Sequence, residues 1–228
     1  MIPVPLESRG HAHCALKVKG SDAVIRVDAN AGWSVDEAVE RIRQLSRQRK
    51  AFMITCSFNW PHDPNVVPSP YYERFDPETI ELPETVESIE PRFAAQWSRQ
   101  VVADLGEAGL REFLRVYYAS VKLIDDQVGR MLDALEESGE RERTLVIFTS
   151  DHGEALGDHG LIGKGTFYES STRVPMLVSL PGLGESRVCH DLVCLGDVTA
   201  TILYLGGCQL SEHLDSIPLP ELGIAAEA

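Results

Sequence analysis

Hydrophobic and polar positions divide the chain into alternating helical and extended segments. Ser34-Val35-Asp36-Glu37 has the form of a capping box, with Ser34 as the cap and Glu37 reaching back to it. Val35, Ala38, Val39, Ile42 and Leu45 then recur at helical spacing through about Gln48. The next run, Ala51 to Phe58, is short and apolar and predicts a buried strand. A second helical stripe consists of Leu114, Tyr117, Val121, Ile124, Val128, Met131, Leu132 and Leu135. It predicts a helix from about Leu110 to Ser138, closed by Gly139. Thr144–Thr149 is the strongest buried-strand pattern in the chain. Val174–Leu180 predicts a further strand ended by Pro181-Gly182, and Asp197–Leu205 predicts a last helix that stops at Gly206-Gly207.

Between the first strand and the second helix, residues 60–92 hold seven of the thirteen prolines. That composition predicts a long ordered loop rather than a linker to a new fold. The order helix, strand, loop, helix, strand, loop, strand, helix specifies an α/β layered domain. The runs 52–58, 145–149 and 176–180 are expected in one mostly parallel sheet, with the helices packed against it. Residues 1–32 read as an irregular lead-in with one β-like run, Val24–Val27. Residues 33–207 read as the α/β domain and 208–228 as an irregular tail.

Composition narrows the function. The 228 residues carry a formal net charge of −14, which argues against nucleic-acid binding, where a basic face must neutralise phosphates. Long polyanionic substrates are disfavoured too, unless a bound cation and local basic residues reverse the field at the site. No apolar run reaches membrane-spanning length, and no signal-peptide pattern follows Met1. The five cysteines, Cys14, Cys56, Cys189, Cys194 and Cys208, include no C-x-x-C pair. Cys56 and Cys194 read as core thiols, and the pattern fits a reducing, cytoplasmic compartment. No G-x-G-x-x-G follows a strand, which argues against a nicotinamide dehydrogenase.

Ligands of open α/β sheets bind beyond the carboxyl ends of the strands. Two such ends carry polar clusters here. One is Asn59-Trp60-Pro61-His62-Asp63-Pro64. The other runs from Ser150 through Asp151, His152, Gly153 and Glu154 to Asp158-His159-Gly160, with Gly163-Lys164-Gly165 close behind. Asp and His are good ligands for divalent cations, and Gly153 permits a tight turn after the strand. Singly, each residue also has an ordinary reading. His62 could be a packed loop histidine, Lys164 a solvated lysine, and Asp151-His152 merely polar.

Together these residues resemble the sulfatase family of the alkaline-phosphatase-like superfamily. The resemblance is close over TLVIFTSDHGEALGDHGLIGKGTFYESSTRVPMLVSLPG, residues 144–182. It extends to FMITCSFNWPHDP and YYERFDPETIELPE, and continues through LVCLGDVTATILYLGG. It implies an alkaline-phosphatase-like, mostly parallel sheet flanked by helices, incomplete on its N-terminal side. It also implies metal-dependent hydrolysis of a small-molecule sulfate ester. Asp151 and His152 would bind a divalent cation, usually calcium and sometimes manganese. Lys164 and His62 would contact sulfate oxygens and steady the leaving group. His159 would brace a ligand or the substrate, or be an ordinary loop histidine. Glu169 and Arg173 would form a structural ion pair. His11, His13 and Cys14 look ligand-like but match nothing in the family. The nucleophile motif C-x-P-x-R or C-x-A-x-R accommodates none of the five cysteines, so this chain alone is expected to be inactive. A phosphonate or phosphate monoester hydrolase of the same superfamily, and a non-catalytic binding remnant, are the alternative readings.

Overall fold

The computed structural model describes residues 34–83, 96–182 and 185–220, together with the backbones of two strands, β1 (His13–Cys14) and β2 (Val24–Asp28). The side chains of His11, His13 and Cys14 lie outside the described residues. The remaining α-helices and β-strands are α1 (Val35–Arg47), β3 (Phe52–Thr55), α2 (Ser69–Tyr72), α3 (Gln96–Glu137), β4 (Val146–Thr149), α4 (Glu169–Thr172), β5 (Met176–Ser179) and α5 (Leu195–Leu205). By its contacts the chain forms two compact units. One comprises residues 1–57, 130–146 and 178–228, the other residues 58–129 and 147–177.

In the first unit, β2 pairs parallel with β3, Val24 opposite Phe52 and Val27 opposite Thr55, and antiparallel with β1. The segment read as a lead-in thus contributes strands. The Ser34 capping box forms as its sequence predicts: Glu37 N–H donates to Ser34 Oγ and Ser34 N–H to Glu37 Oε2, at 3.2 and 2.7 Å. The α1 stripe buries Val39 and Ile42 against Ala134 and Leu135 of α3, with Phe52, Ile54 and Val146 packed on the same cluster. Arg43 of α1 pairs with Glu137 of α3 at 2.8 Å. The last turn of α3 closes at Gly139, φ +70°. Glu140 N–H donates to the Leu135 carbonyl and Gly139 N–H to the Glu136 carbonyl, both at 2.9 Å. This is the left-handed cap that a residue without Cβ forms at no steric cost.

Two expectations need correction. Strands β4 and β5 pair with each other, in a sheet separate from β1-β2-β3. One sheet through all three apolar runs is therefore not what forms among the described residues. Phe52, Ile54 and Val146 nevertheless meet the same helical cluster. A hydrophobic run specifies a face that must be covered, and helices can cover it without any ladder between the strands. The second correction concerns the thiols. Cys194 is exposed and Cys56 only half-buried. Cys194 is the N-cap of α5: its carbonyl accepts the Asp197 N–H at 3.0 Å, and its own N–H donates to Asp197 Oδ2 at 2.8 Å. Capping places it at the helix mouth rather than in the core.

In the second unit, α3 breaks at Gly106 (φ 60°, ψ −175°), so the helix predicted from about Leu110 is preceded by a separate helical segment from Gln96. Leu110 and Leu114 pack with Ile80, and Leu82, Val102, Phe113, Leu156 and Ile162 complete that cluster. The proline-rich segment is ordered against α3 over its described part. Tyr72 Oη donates to Glu112, Arg115 Nε donates to the Tyr72 carbonyl at 3.1 Å, and Arg111 donates to the Ile80 carbonyl. The Arg115 guanidinium also lies 3.7 Å from the centre of the Tyr72 ring. No described helix is long and apolar enough to cross a membrane.

Candidate active site

Strand β4 ends at Thr149, and the chain turns at once. Ser150 Oγ donates to the His152 carbonyl at 2.8 Å, and His152 N–H donates to Asp151 Oδ1 at 2.9 Å. Gly153 N–H then donates to the Ser171 carbonyl at 2.8 Å. That approach is close enough that a Cβ on Gly153 would stand 2.0 Å from the Ser170 carbonyl oxygen. Glycine is therefore required here for contact rather than for an unusual φ.

The turn brings Asp151 and His152 together. The His152 Nδ1 lies 2.9 Å from the Gly153 carbonyl oxygen. A carbonyl only accepts, so Nδ1 carries a proton, and in the neutral ring Nε2 is the nitrogen with the free lone pair. Nε2 is 3.6 Å from Asp151 Oδ2, and the Asp151 side chain is 83% exposed. Two donors that far apart can both lie about 2.3–2.6 Å from one cation, subtending roughly a right angle. The pair thus fits two ligand positions of a divalent ion. No group of three or more His, Cys, Asp or Glu side chains around one ion occurs among the described residues.

Lys164 is exposed on the loop that follows, and its approach is heavily held. Ala155 N–H donates to the Gly163 carbonyl at 2.9 Å, and Gly163 N–H donates to Glu154 Oε1. Glu154 also faces Tyr117 of α3, whose hydroxyl titrates above the ordinary tyrosine range, chiefly because it is buried and secondly because of the Glu154 charge. Ser98, buried in the first part of α3, donates to the Ile162 carbonyl at 2.6 Å and accepts the Ile162 N–H at 2.8 Å.

His159 adopts a left-handed conformation, φ 54°. Its ring stacks on Tyr168 with centroids 3.7 Å apart, and its Nε2 lies 3.6 Å from Asp158 Oδ2. Tyr168 is the N-cap of α4, the helix whose Ser171 carbonyl receives Gly153 N–H. His159 thereby props the loop against α4. Glu169 and Arg173 pair at 3.1 Å, both largely exposed. Such a pair contributes at most about 1 kcal/mol.

His62 sits in its own turn. Its N–H donates to the Asn59 carbonyl at 2.9 Å, and its exposed ring Nδ1 is 3.2 Å from the Asp63 carbonyl. Among the described residues no hydrogen bond or ion pair joins it to Asp151 or Lys164. Sequence pattern singled out the charged groups at the loop tips and missed Ser98, Glu154 and Tyr168, which hold those tips. Glu154 was legible as part of the motif. Ser98 carries no local signal, because its partner lies 64 residues away.

Comparison with known proteins finds relatives of one family. A sulfatase family model matches residues 21–208. The chain is 33% identical over 195 residues to the uncharacterized sulfatase YidJ of Escherichia coli (strain K12), covering 82% of this chain and 39% of that protein. It is 32% identical over 187 residues to a choline-sulfatase of Rhizobium meliloti (strain 1021), covering 77% and 36%. The phosphonate monoester hydrolase of Silicibacter pomeroyi superposes with a TM-score of 0.72 at 26% identity, over 84% of this chain and 40% of that one. The chain spans about two fifths of the length of the curated relatives it matches. With the family model covering most of its residues and the Asp-His turn standing at the end of its strand, the chain belongs to the sulfatase family.

Proposed function

We propose that this chain carries part of the cation and sulfate site of a sulfuric ester hydrolase acting on a small-molecule sulfate ester. The observation that supports it most is the Asp151–His152 turn, with a carboxylate oxygen and an imidazole nitrogen 3.6 Å apart at the end of β4. These two residues would hold a divalent cation, calcium or manganese, whose chemistry there is to polarise a sulfate oxygen. Lys164 supplies a positive charge toward a second oxygen, on a loop tied to the same turn. His62 donates to the leaving-group oxygen from the other side, and His159 keeps the loop in place through its stack on Tyr168.

A phosphonate or phosphate ester is the second reading, and the superposition on a phosphonate monoester hydrolase favours it. Titration of the chain with calcium and with manganese, alone and with sulfate or methylphosphonate present, tests both. The sulfatase reading expects cation binding that Asp151→Asn abolishes and that sulfate strengthens more than methylphosphonate does. Cation binding unaffected by Asp151→Asn would remove the proposed site, and a preference for methylphosphonate would transfer it to phosphonate chemistry.

A further inference from the structure

We propose that Ser98 is a positioning residue that sets where the Lys164 ammonium can reach; the proposal rests on Lys164 contacting a sulfate oxygen. The Ile162 side chain is anchored in the apolar cluster of Ile80, Leu110 and Leu114. Its two backbone polar groups are both taken by a single atom, the Ser98 hydroxyl, which accepts the N–H at 2.8 Å and donates to the C=O at 2.6 Å. The next peptide is held from the other side: Gly163 N–H by Glu154 and the Gly163 carbonyl by Ala155 N–H. All four backbone polar groups of residues 162–163 are thus fixed immediately before Lys164.

A flexible lysine is a poor oxyanion ligand because each frozen side-chain torsion costs entropy. Fixing its backbone removes the loop's share of that cost and leaves only the side chain to order. Ser98 is 4% exposed, so its hydroxyl is shielded from bulk water. Only a hydroxyl can donate and accept at one atom in this space; Thr retains that chemistry and Ala does not.

The test uses the full chain and inorganic sulfate. Acylation of Lys164 by an amine-reactive ester is followed by peptide mass spectrometry against sulfate concentration in the wild type, Ser98→Ala and Ser98→Thr, and sulfate binding to the wild type and Lys164→Gln is measured by calorimetry. Sulfate should protect Lys164 in the wild type and in Ser98→Thr. In Ser98→Ala the concentration for half-protection should rise about fivefold to tenfold, the loss expected from two hydrogen bonds that act only through position. Unchanged protection in Ser98→Ala, even with a lower melting temperature, would overturn the proposal, because a purely structural serine changes stability and not sulfate affinity. Should Ser98→Ala fail to fold, amide exchange on the wild type decides. The Ile162 and Gly163 amides must exchange more slowly on adding sulfate; exchange indifferent to sulfate overturns the proposal. Absence of any sulfate protection in the wild type, together with Lys164→Gln binding sulfate as the wild type does, would instead overturn the assignment of Lys164 itself.

Discussion

Arg49 ends α1 in the left-handed region, φ 53°. Its N–H donates to the Ser46 carbonyl at 2.9 Å, and Lys50 N–H donates to the Leu45 carbonyl at 3.4 Å. The geometry matches the glycine cap of α3, but with a side chain that is strained there. Arg49→Gly should therefore raise stability by about 0.5–1 kcal/mol, visible as a higher urea midpoint with an unchanged slope. Tyr117 makes a second residue-level prediction. Burial, and then the Glu154 charge, hold its pKa above the usual value. The neutral ring is thus favoured in the fold. Its contribution to stability is fully present below the unfolded pKa near 10 and is lost as pH rises through the higher folded value. Tyr72, hydrogen-bonded to Glu112, is raised as well, so alkaline titration of tyrosinate absorbance should show both as late-ionising groups, and Glu154→Gln should bring only the Tyr117 step part of the way back.

Among the elements, α5 and the tail behind it behave as one unit. Thr201, fully buried, donates to the Asp197 carbonyl at 2.7 Å and accepts the Leu219 N–H at 2.7 Å. Asp197 Oδ1 accepts the Ile217 N–H at 3.1 Å. Alternate amides of an extended segment are thus tied to two positions one turn apart on the helix, with Leu219 buried beside them. Thr201→Val keeps the shape and removes the hydroxyl. It leaves a buried N–H without a partner, a loss of about 1–3 kcal/mol. Thermal denaturation should register that loss, and hydrogen exchange at Leu219 should accelerate well before exchange in α3 does.

For the molecule as a whole, charge and ligand count act on the same site. With a net charge of −14 and an exposed Asp151 carboxylate at the end of β4, the proposed site is expected to attract cations. Two ligands leave most of the ion hydrated, so the dissociation constant should be on the order of 10⁻³ M. It should weaken further as salt screens the field; a calorimetric titration at two ionic strengths reads both. Aryl sulfate turnover by this chain should be absent with or without metal, since none of its five cysteines stands in the nucleophile motif. Chelator-sensitive hydrolysis by the purified chain would contradict that.

Sequence alone determined the pieces whose causes are local. The α1 capping box, the closure of α3 at Gly139, the apolar stripes and the Asp-His turn after β4 all follow from residues within a few positions of each other. Their hydrogen bonds and side-chain periodicity are set by short-range geometry. The motif over residues 144–182 was likewise enough to place the chain in its family. Tertiary structure alone decided which strands share a ladder, because Phe52, Ile54 and Val146 satisfy their burial against helices whichever strand lies beside them. It also decided that Cys194 caps a helix instead of filling the core, and that Ser98 holds Ile162. Buried polar groups must find partners, and nothing in the local pattern says how far along the chain those partners stand.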